Sequence, residues 1–301
     1  MLDLFAPQPT LQVPRADATI AVVDAGTRIA DTTKSGDDST SDDDDDYGTS
    51  RDDGGLIDAR LSNELSDGAV RSSSLILRYD FSGDGTELVD RVGNASARVL
   101  GGARLDDSGE LALDGVDDYV DLPNGTLASL ESATVVAWIT WGGGVCWQRV
   151  FDFGHNDMGE DKQGSSVTSL FVTLSTCPEG RLAGMAELPT GHFVAAADTT
   201  IEPSSLGSRA EDPRASTTRQ VALSFDAARS LLTLYLDGVR VAETSAGFAL
   251  AQLGDVNAWL GRSQWVQDYF ARVSYDEFRI YDRALSRTEV RELFQRGADR
   301  P

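Results

Sequence analysis

The sequence predicts an all-β protein, a two-sheet antiparallel β-sandwich with one short C-terminal helix. Three observations support this prediction. Apolar and polar residues alternate in many short runs from Leu75 onward, and alternation with a period of two is typical of half-buried strands. The dipeptide Asp-Gly stands between apolar runs at residues 114–115 and 237–238, which predicts tight hairpins at both places. A helical spacing of apolar residues follows only after the last predicted strand.

Residues 1–72 differ from the rest of the chain because they are rich in aspartate and poor in apolar side chains. The run DDDDD at residues 42–46 does not place Gly and Glu at the sixth and twelfth positions that an EF-hand loop requires. Low hydrophobicity with high net charge does not support a packed core. We therefore expect a disordered acidic linker over residues 1–72 and one domain over residues 73–301.

The predicted strands follow one another at short intervals. The first is LILRYDF from Leu75, and the next lie at residues 97–100, 110–113 and 119–122. The segment ATVVAWITW at residues 133–141 is apolar on both faces, as expected for a central strand that is covered on both sides. Trp138 and Trp141 in this segment are expected in the core. Trp147 and Trp259 border predicted strands and are compatible with either the core or the surface.

The last predicted strand contains a change of phase. Apolar residues alternate through Val273 and Tyr275, and the alternation resumes one residue late at Phe278 and Ile280. A β-bulge at residues 276–277 would return the second set of side chains to the core. Bulges are over-represented beside functional sites, so the two carboxylates at this bulge are candidates for a functional role.

A short helix is predicted directly after this strand. Ser286 and Glu289 have the spacing of a capping box, and Gly297 is a suitable C-terminal stop. Val290, Leu293 and Phe294 form an apolar stripe between them. The strand and the helix are expected to pack as one unit.

Charge excludes some classes of partner. The formal net charge is −23 for 301 residues, whereas nucleic-acid binding needs clustered basic side chains. Anionic membrane surfaces are disfavoured for the same reason. We find no apolar run of transmembrane length and no signal peptide in the first 30 residues.

The chain has two cysteines, Cys146 and Cys177. They are too few for a zinc site without histidine, and His155 and His192 are not at ligand spacing with them. One disulfide is the favoured interpretation, because both cysteines stand at the ends of strands predicted to be neighbours; two free buried thiols are the alternative. A disulfide favours an extracellular, cell-surface or periplasmic location. The absence of a visible signal then implies either that the natural chain starts further upstream or that the cysteines are reduced.

Six motifs in order carry a resemblance to a known family: YDF, LDGVDDYV, WQRVFDFG, LTLYLDGV, WLGRS and YDEFRIYDRALSRTEV. Over about residues 75–297 the chain resembles laminin-G-like domains, and more narrowly the concanavalin A-like jelly-roll modules of bacterial secreted and surface proteins. The resemblance implies two packed sheets in which the first strand lies beside the last. It also implies a mostly non-catalytic domain that binds carbohydrate or an extracellular protein, often with a structural calcium ion.

The resemblance leads to a hypothesis of a calcium site. Pairing of the first and last strands would bring Asp276 near the turn that contains Asp80, Asp84, Asp90 and Asn94. Oxygen ligands of this kind suit Ca²⁺. Two alternatives remain open: the side chains cap their own turns, or they pair with arginine, for which Arg78, Arg91 and Arg279 are available. A pentraxin-like calcium site is disfavoured, because the loop after WLG has no carboxylate before Asp268.

Exposed aromatic residues beside polar groups are the candidates for sugar contact. Trp265 and Gln267 are the predicted ligand-binding residues, together with His155 and Asn156 if their loops converge. The carboxylate spacing Glu-x-Asp-x-Glu of related glucanases is absent. The sequence therefore favours a binding module that is not an enzyme. A purely structural domain of the cell envelope is the main alternative, and a glycan-acting enzyme is a weaker one.

Overall fold

The computed structural model describes residues 74–204 and 218–298. Their strands, in chain order, are β1 (Leu75–Tyr79), β2 (Asp84–Gly85), β3 (Glu87–Leu88), β4 (Ala97–Leu100), β5 (Leu105–Asp106), β6 (Leu111–Asp114), β7 (Tyr119–Asp121), β8 (Ala133–Trp141), β9 (Arg149–Asn156), β10 (Val167–Thr173), β11 (Ala183–Leu188), β12 (Gly191–Ala196), β13 (Arg219–Asp226), β14 (Leu231–Leu236), β15 (Val239–Ser245), β16 (Asn257–Leu260) and β17 (Arg272–Tyr281). One α-helix, α1 (Arg287–Arg296), follows the last strand. The predicted acidic linker lies outside the described residues.

The strands form the predicted antiparallel sandwich. Sheet A has seven strands in the order β1-β17-β8-β13-β14-β15, and β6 also pairs with β17. Sheet B has eight strands in the order β12-β11-β10-β9-β16-β7-β4-β3, and β2 and β5 form a small separate pair. Alternate side chains of the two sheets meet in one apolar core. The prediction that the first strand lies beside the last is confirmed, since β1 pairs antiparallel with β17.

The predicted bulge in the last strand is confirmed. The register between β17 and β8 shifts between Tyr275 and Glu277, and Asp276 is the additional residue. Val273 and Phe278, on either side of the shift, are both buried in the core. The bulge therefore places both halves of the apolar pattern on the same face of sheet A.

The outer face of sheet A is covered by α1. Trp138 and Val136 on β8 pack with Val290 and Leu293 of the helix, which explains why all nine residues of β8 are buried. The capping box is present, because Ser286 Oγ accepts the Glu289 N–H and the Glu289 carboxylate accepts the Ser286 N–H.

The helices within the described residues are too short and too polar to traverse a lipid bilayer.

The two Asp-Gly turns have different outcomes. Asp237 and Gly238 both have positive φ, 50° and 72°, and they connect the paired strands β14 and β15 as predicted. The hairpin predicted at residues 114–115 is wrong, because β6 pairs with β17 in sheet A whereas β7 pairs with β16 in sheet B. This turn carries the chain from one sheet to the other. The carboxylate of Asp118 stabilises it by accepting the Asp114 N–H at 3.0 Å.

The predicted disulfide is confirmed. Cys146 and Cys177 are bonded, and their Cα atoms lie 5.6 Å apart. The bond joins the loop before β9 to the loop after β10. It therefore holds these two loops together at one end of sheet B.

Candidate functional site

The candidate site lies on the outer face of sheet B, which the strand register defines residue by residue. One row crosses the sheet through paired residues of six strands: Val194, Met185, Phe171, Asp152, Trp259 and Asp121. Paired residues on neighbouring strands project to the same side of a sheet. Phe151 and Phe153 flank Asp152 on β9 and point into the core, so this row belongs to the opposite, outer face.

The loop at residues 261–270 crosses the middle of this face. The Gln264 N–H donates to Asp152 Oδ2 at 3.0 Å, and Asp268 pairs with Arg149 at 2.7 Å. Ser263 Oγ also donates to Asp268, at 2.9 Å. These contacts hold the loop against β9 and divide the outer face into two regions.

Asp152 is the buried centre of this arrangement. Burial raises the pKa of its carboxyl to about 6, although Arg149 and the Gln264 N–H both favour the charged form. Arg149 is itself buried, and its Nε lies 3.3 Å from Asp152 Oδ2. Loss of hydration therefore outweighs the attraction of a single nearby guanidinium group.

The first region of the outer face is an apolar surface at the β12 side of the loop. We call it the Trp147 platform; it consists of Trp147, Phe171, Met185, Val194 and Ala196. Phe171 and Met185 are buried, whereas Trp147, Val194 and Ala196 are partly exposed. The guanidinium carbon of Arg149 lies 3.9 Å from the ring centroid of Phe171 and 5.9 Å from that of Trp147.

Trp147 has an unusual backbone conformation. Its φ is +67°, in the left-handed region that costs a residue with a Cβ about 1 kcal/mol or more. The Trp147 N–H donates to the Ser175 carbonyl at 2.7 Å, and the neighbouring disulfide joins the same two loops. A large aromatic side chain is thus held at a strained position on an outer face, and strain of this kind is typical of functional positions.

A polar pair borders the Trp147 platform. His192 is exposed on the edge strand β12, and its Nδ1 lies 2.9 Å from Glu187 Oε2 on β11. The hydrogen bond to Glu187 raises the pKa of His192. The platform therefore has an apolar centre and a rim that can donate and accept hydrogen bonds, as sugar-binding surfaces require.

The structure brings the predicted ligand-binding loops together, but their side chains have different roles. Gln163 Nε2 donates to the carbonyls of Ser263 and Trp265 at 3.0 Å. Asn156 is buried and donates to the Lys162 carbonyl and to Gln264 Oε1 at 2.6 and 2.9 Å. Asn156 therefore supports the loops from below and does not face solvent.

The other three predicted ligand residues are more accessible. His155 is partly exposed, and its Nδ1 lies 2.7 Å from the Leu253 carbonyl. Trp265 is partly exposed and Gln267 exposed, both on the loop that crosses sheet B. The role of these three residues as ligand contacts stays a prediction. Sequence reasoning did not select Trp147, although its position next to a disulfide cysteine was a usable signal.

The predicted calcium ligands have other partners. Asp80 accepts from Arg91 Nε at 3.0 Å and from Ser82 Oγ at 2.8 Å. Asp90 accepts four backbone N–H groups at 3.0 to 3.2 Å, those of Arg78, Val92, Gly93 and Ala95. These contacts correspond to the two alternatives to a calcium site, in which the carboxylates cap their own turns or pair with arginine.

The remaining members of that set have different surroundings. Asp84 and Asn94 are exposed, and Asp276 accepts from Thr218 Oγ1 at 3.1 Å. Within residues 74–204 and 218–298, the one group of three carboxylates close enough to share an ion is Asp114, Asp117 and Asp118. Asp80 and Asp90 thus have protein partners, and calcium binding by the protein stays a prediction.

Glu277, the fully buried carboxylate of the bulge, pairs with arginine. Glu277 Oε1 lies 2.5 Å from Arg78 Nε and 2.8 Å from Arg279 Nε. Burial raises the pKa of Glu277, and the two arginines oppose that effect. The bulge thus stabilises an ion-pair network on the outer face of sheet A.

Comparison with known proteins identifies the family of this domain. The model of a family described as "Concanavalin A-like lectin/glucanases superfamily" matches residues 114–291. No curated protein matches the chain. Among solved structures, a sialidase of Trypanosoma rangeli in complex with sialic acid is similar at 18% identity and a TM-score of 0.54, over 76% of this chain and 34% of that one.

Two further solved structures illustrate the range of proteins with this fold. A structure of botulinum neurotoxin type C, whose cell entry depends on two ganglioside molecules, is similar at 12% identity and a TM-score of 0.54, over 74% of this chain and 51% of that one. Domain 4 of an extracellular arabinanase from Geobacillus stearothermophilus, solved with arabinotriose, has 15% identity and a TM-score of 0.47, over 73% of this chain and 97% of that one. At these identities the likeness shows the fold alone, and the relatives include enzymes as well as binding domains.

Proposed function

The chain belongs to the concanavalin A-like lectin/glucanases superfamily, and we propose that its domain is a non-catalytic carbohydrate-binding module with its site on the Trp147 platform. The observation that carries this proposal is a partly exposed tryptophan in a left-handed backbone conformation on an apolar outer face. A ring face of this kind packs on the C–H groups of a sugar ring. The His192–Glu187 pair at the rim supplies polar groups for the hydroxyls.

The charged residues near the platform support binding rather than hydrolysis. Retaining and inverting glycosidases use two accessible carboxyl groups on either side of the scissile bond. Here Asp152 is buried beneath the loop and Asp268 pairs with Arg149. Glu187 is bonded to His192. Asp152 and Asp268 therefore stabilise the face, and Glu187 belongs to the polar rim.

We also propose that the protein works outside the cytoplasm, on the cell surface or after export. The support for this location is the Cys146–Cys177 disulfide, which persists in oxidising compartments. The carbohydrate-binding relatives are consistent with a glycan ligand, and an extracellular glycoprotein would present the same chemistry.

A glycan array tests the proposal with two matched variants. Trp147→Gly removes the ring and keeps a residue that adopts positive φ at no steric cost, so the variant should fold as well as the natural protein. Val239→Ser changes an exposed apolar residue on β15 of the other sheet, where Val239 is 61% exposed. We expect Trp147→Gly to lose at least about tenfold in affinity for every glycan bound, and Val239→Ser to retain it. An array without any bound glycan, or full binding by Trp147→Gly, would contradict the proposal and favour a structural role.

A further inference from the structure

A second aromatic surface lies on the same face of sheet B, on the other side of the loop at residues 261–270. We call it the Tyr119 cluster; it consists of Tyr119, Trp259, Arg262 and Phe270. The ring centroids of Tyr119 and Trp259 lie 6.2 Å apart, and those of Tyr119 and Phe270 lie 6.1 Å apart. Trp259 is fully buried, whereas Tyr119 and Phe270 are partly exposed.

The cluster is built in the same way as the Trp147 platform. The guanidinium carbon of Arg262 lies 4.1 Å from the ring centroid of Trp259 and 4.5 Å from that of Tyr119. In both places an arginine lies over a buried ring and close to a second ring that is partly exposed. Aromatic side chains held rigidly beside polar groups are suitable for stacking against a ligand.

The two aromatic surfaces are separated by a distance that the sheet itself determines. Phe171 on β10 and Tyr119 on β7 belong to strands three steps apart, through β9 and β16. With about 4.8 Å between neighbouring strands, Phe171 and Tyr119 are separated by about 14 Å across the sheet. Tyr119 also lies two residues along β7 from Asp121, the β7 residue in the row of Phe171, which adds about 7 Å along the strand direction. A single sugar ring is too small to contact both surfaces, whereas a short oligosaccharide is long enough. The loop between them exposes Gln267 and part of Trp265, which can contact the middle of such a chain.

Charge limits which oligosaccharides the face can accept. Arg149 is neutralised by Asp152 and Asp268. Arg262 lies within the electrostatic influence of Asp161 and Asp121. Carboxylates thus lie near both arginines, and the chain as a whole has a net charge of −23. Anionic sugars would be repelled at both surfaces.

We propose that the Trp147 platform and the Tyr119 cluster bind two sections of one uncharged oligosaccharide, which crosses the loop at residues 261–270. This inference rests on the proposed function and adds the length and the charge of the ligand. Linking two contacts in one ligand raises affinity well above that of either contact alone. Affinity should therefore increase with chain length until both aromatic surfaces are occupied, and then remain constant.

The test is a calorimetric series with cello-, xylo-, manno- and arabino-oligosaccharides of one to six units, and with lactose against sialyllactose. We expect one ligand per protein and at least about tenfold higher affinity for the hexasaccharide than for the disaccharide in the series that binds. Tyr119→Ala and Phe270→Ala should each reduce the hexasaccharide affinity to the disaccharide value. Trp147→Gly should abolish both, and Val239→Ser should change neither.

Hydroxyl-radical footprinting of the natural protein provides a second readout if the Tyr119 and Phe270 variants fail to fold. Hexasaccharide should protect Trp147, Tyr119 and Phe270 from oxidation, and disaccharide should protect Trp147 alone. Equal affinity at all lengths, two ligands per protein, unaltered binding by folded Tyr119 and Phe270 variants, or tighter binding of sialyllactose than lactose would each overturn this inference and leave the proposed function standing. If none of these sugars bound, this inference would be rejected, and the glycan array would still decide the proposed function.

Discussion

The pH dependence of stability should reveal the buried carboxyl of Asp152. Its pKa is raised from 3.8 to about 6 by burial, so the folded protein holds this proton more tightly than the unfolded chain does. The stabilisation is complete below about pH 4 and is lost as the pH rises through about 6. A shift of about two pKa units at about 1.4 kcal/mol per unit corresponds to about 3 kcal/mol.

The perturbation that isolates this effect is Asp152→Asn. The amide keeps the shape of the side chain and cannot titrate, so the difference in unfolding free energy between natural protein and variant contains the contribution of Asp152. Unfolding is measured by urea denaturation at pH 4, 5, 6 and 7. As the pH rises, the free energy of unfolding of the natural protein should fall by about 3 kcal/mol relative to that of Asp152→Asn. Ser274→Ala is the control, because Ser274 is buried on sheet A and its hydroxyl cannot titrate.

Two results would refute this reasoning. A difference that stays constant from pH 4 to pH 7 would mean that Asp152 does not titrate in this range in the folded protein. A natural protein that becomes relatively more stable as the pH rises would mean that the attraction of Arg149 outweighs the loss of hydration. In either case Asp152 would be an ordinary ion-pair partner.

Four further predictions concern the fold and the calcium hypothesis. Replacing both Cys146 and Cys177 by serine should lower the free energy of unfolding by about 3 to 4 kcal/mol, since the bond closes a separation of 31 residues; unchanged denaturation would contradict this. Ser286→Ala should cost about 1 kcal/mol through loss of the helix cap, and retention of full stability would show that the cap is unimportant. Ser274→Ala should be nearly neutral in denaturant titrations because its buried hydroxyl has no hydrogen-bond partner within residues 74–204 and 218–298; a loss of more than about 2 kcal/mol would indicate a partner for that hydroxyl. If calcium binds, it should raise the melting temperature and Asp276→Ala should abolish the rise; equal melting curves in calcium and in chelator, which the contacts of Asp80 and Asp90 favour, would reject the site.

Much of the fold was predictable because it depends on local patterns. Alternation located the strands, and the phase slip between Tyr275 and Phe278 located the bulge to within one residue. The hairpin at residues 114–115 could not be predicted correctly, because alternation shows that a strand has a buried face and does not show which sheet it joins. The assignment of β6 to sheet A depends on its pairing with β17, far away in the sequence.

The site was harder to predict for a related reason. An aromatic residue on the outer face of a strand has the same period as one on the inner face, so Trp147 and Trp259 could not be assigned from sequence. The Trp147 platform also combines residues from three strands and a loop, and the positive φ of Trp147 is a property of the folded loop. Trp265 and Gln267 lie on the loop that crosses the same face, and their role as ligand contacts stays a prediction.

The most direct test of the proposed sugar site is a titration of the five tryptophan indole N–H signals in a ¹H–¹⁵N spectrum with the strongest glycan from the array. The Trp147 signal, assigned from its absence in Trp147→Gly, should shift and saturate with the added glycan. The signal of Trp138, which is buried beneath α1 on the opposite sheet, should not move. A saturable shift of other tryptophans with no change at Trp147 would place the sugar elsewhere and contradict the Trp147 platform as the site.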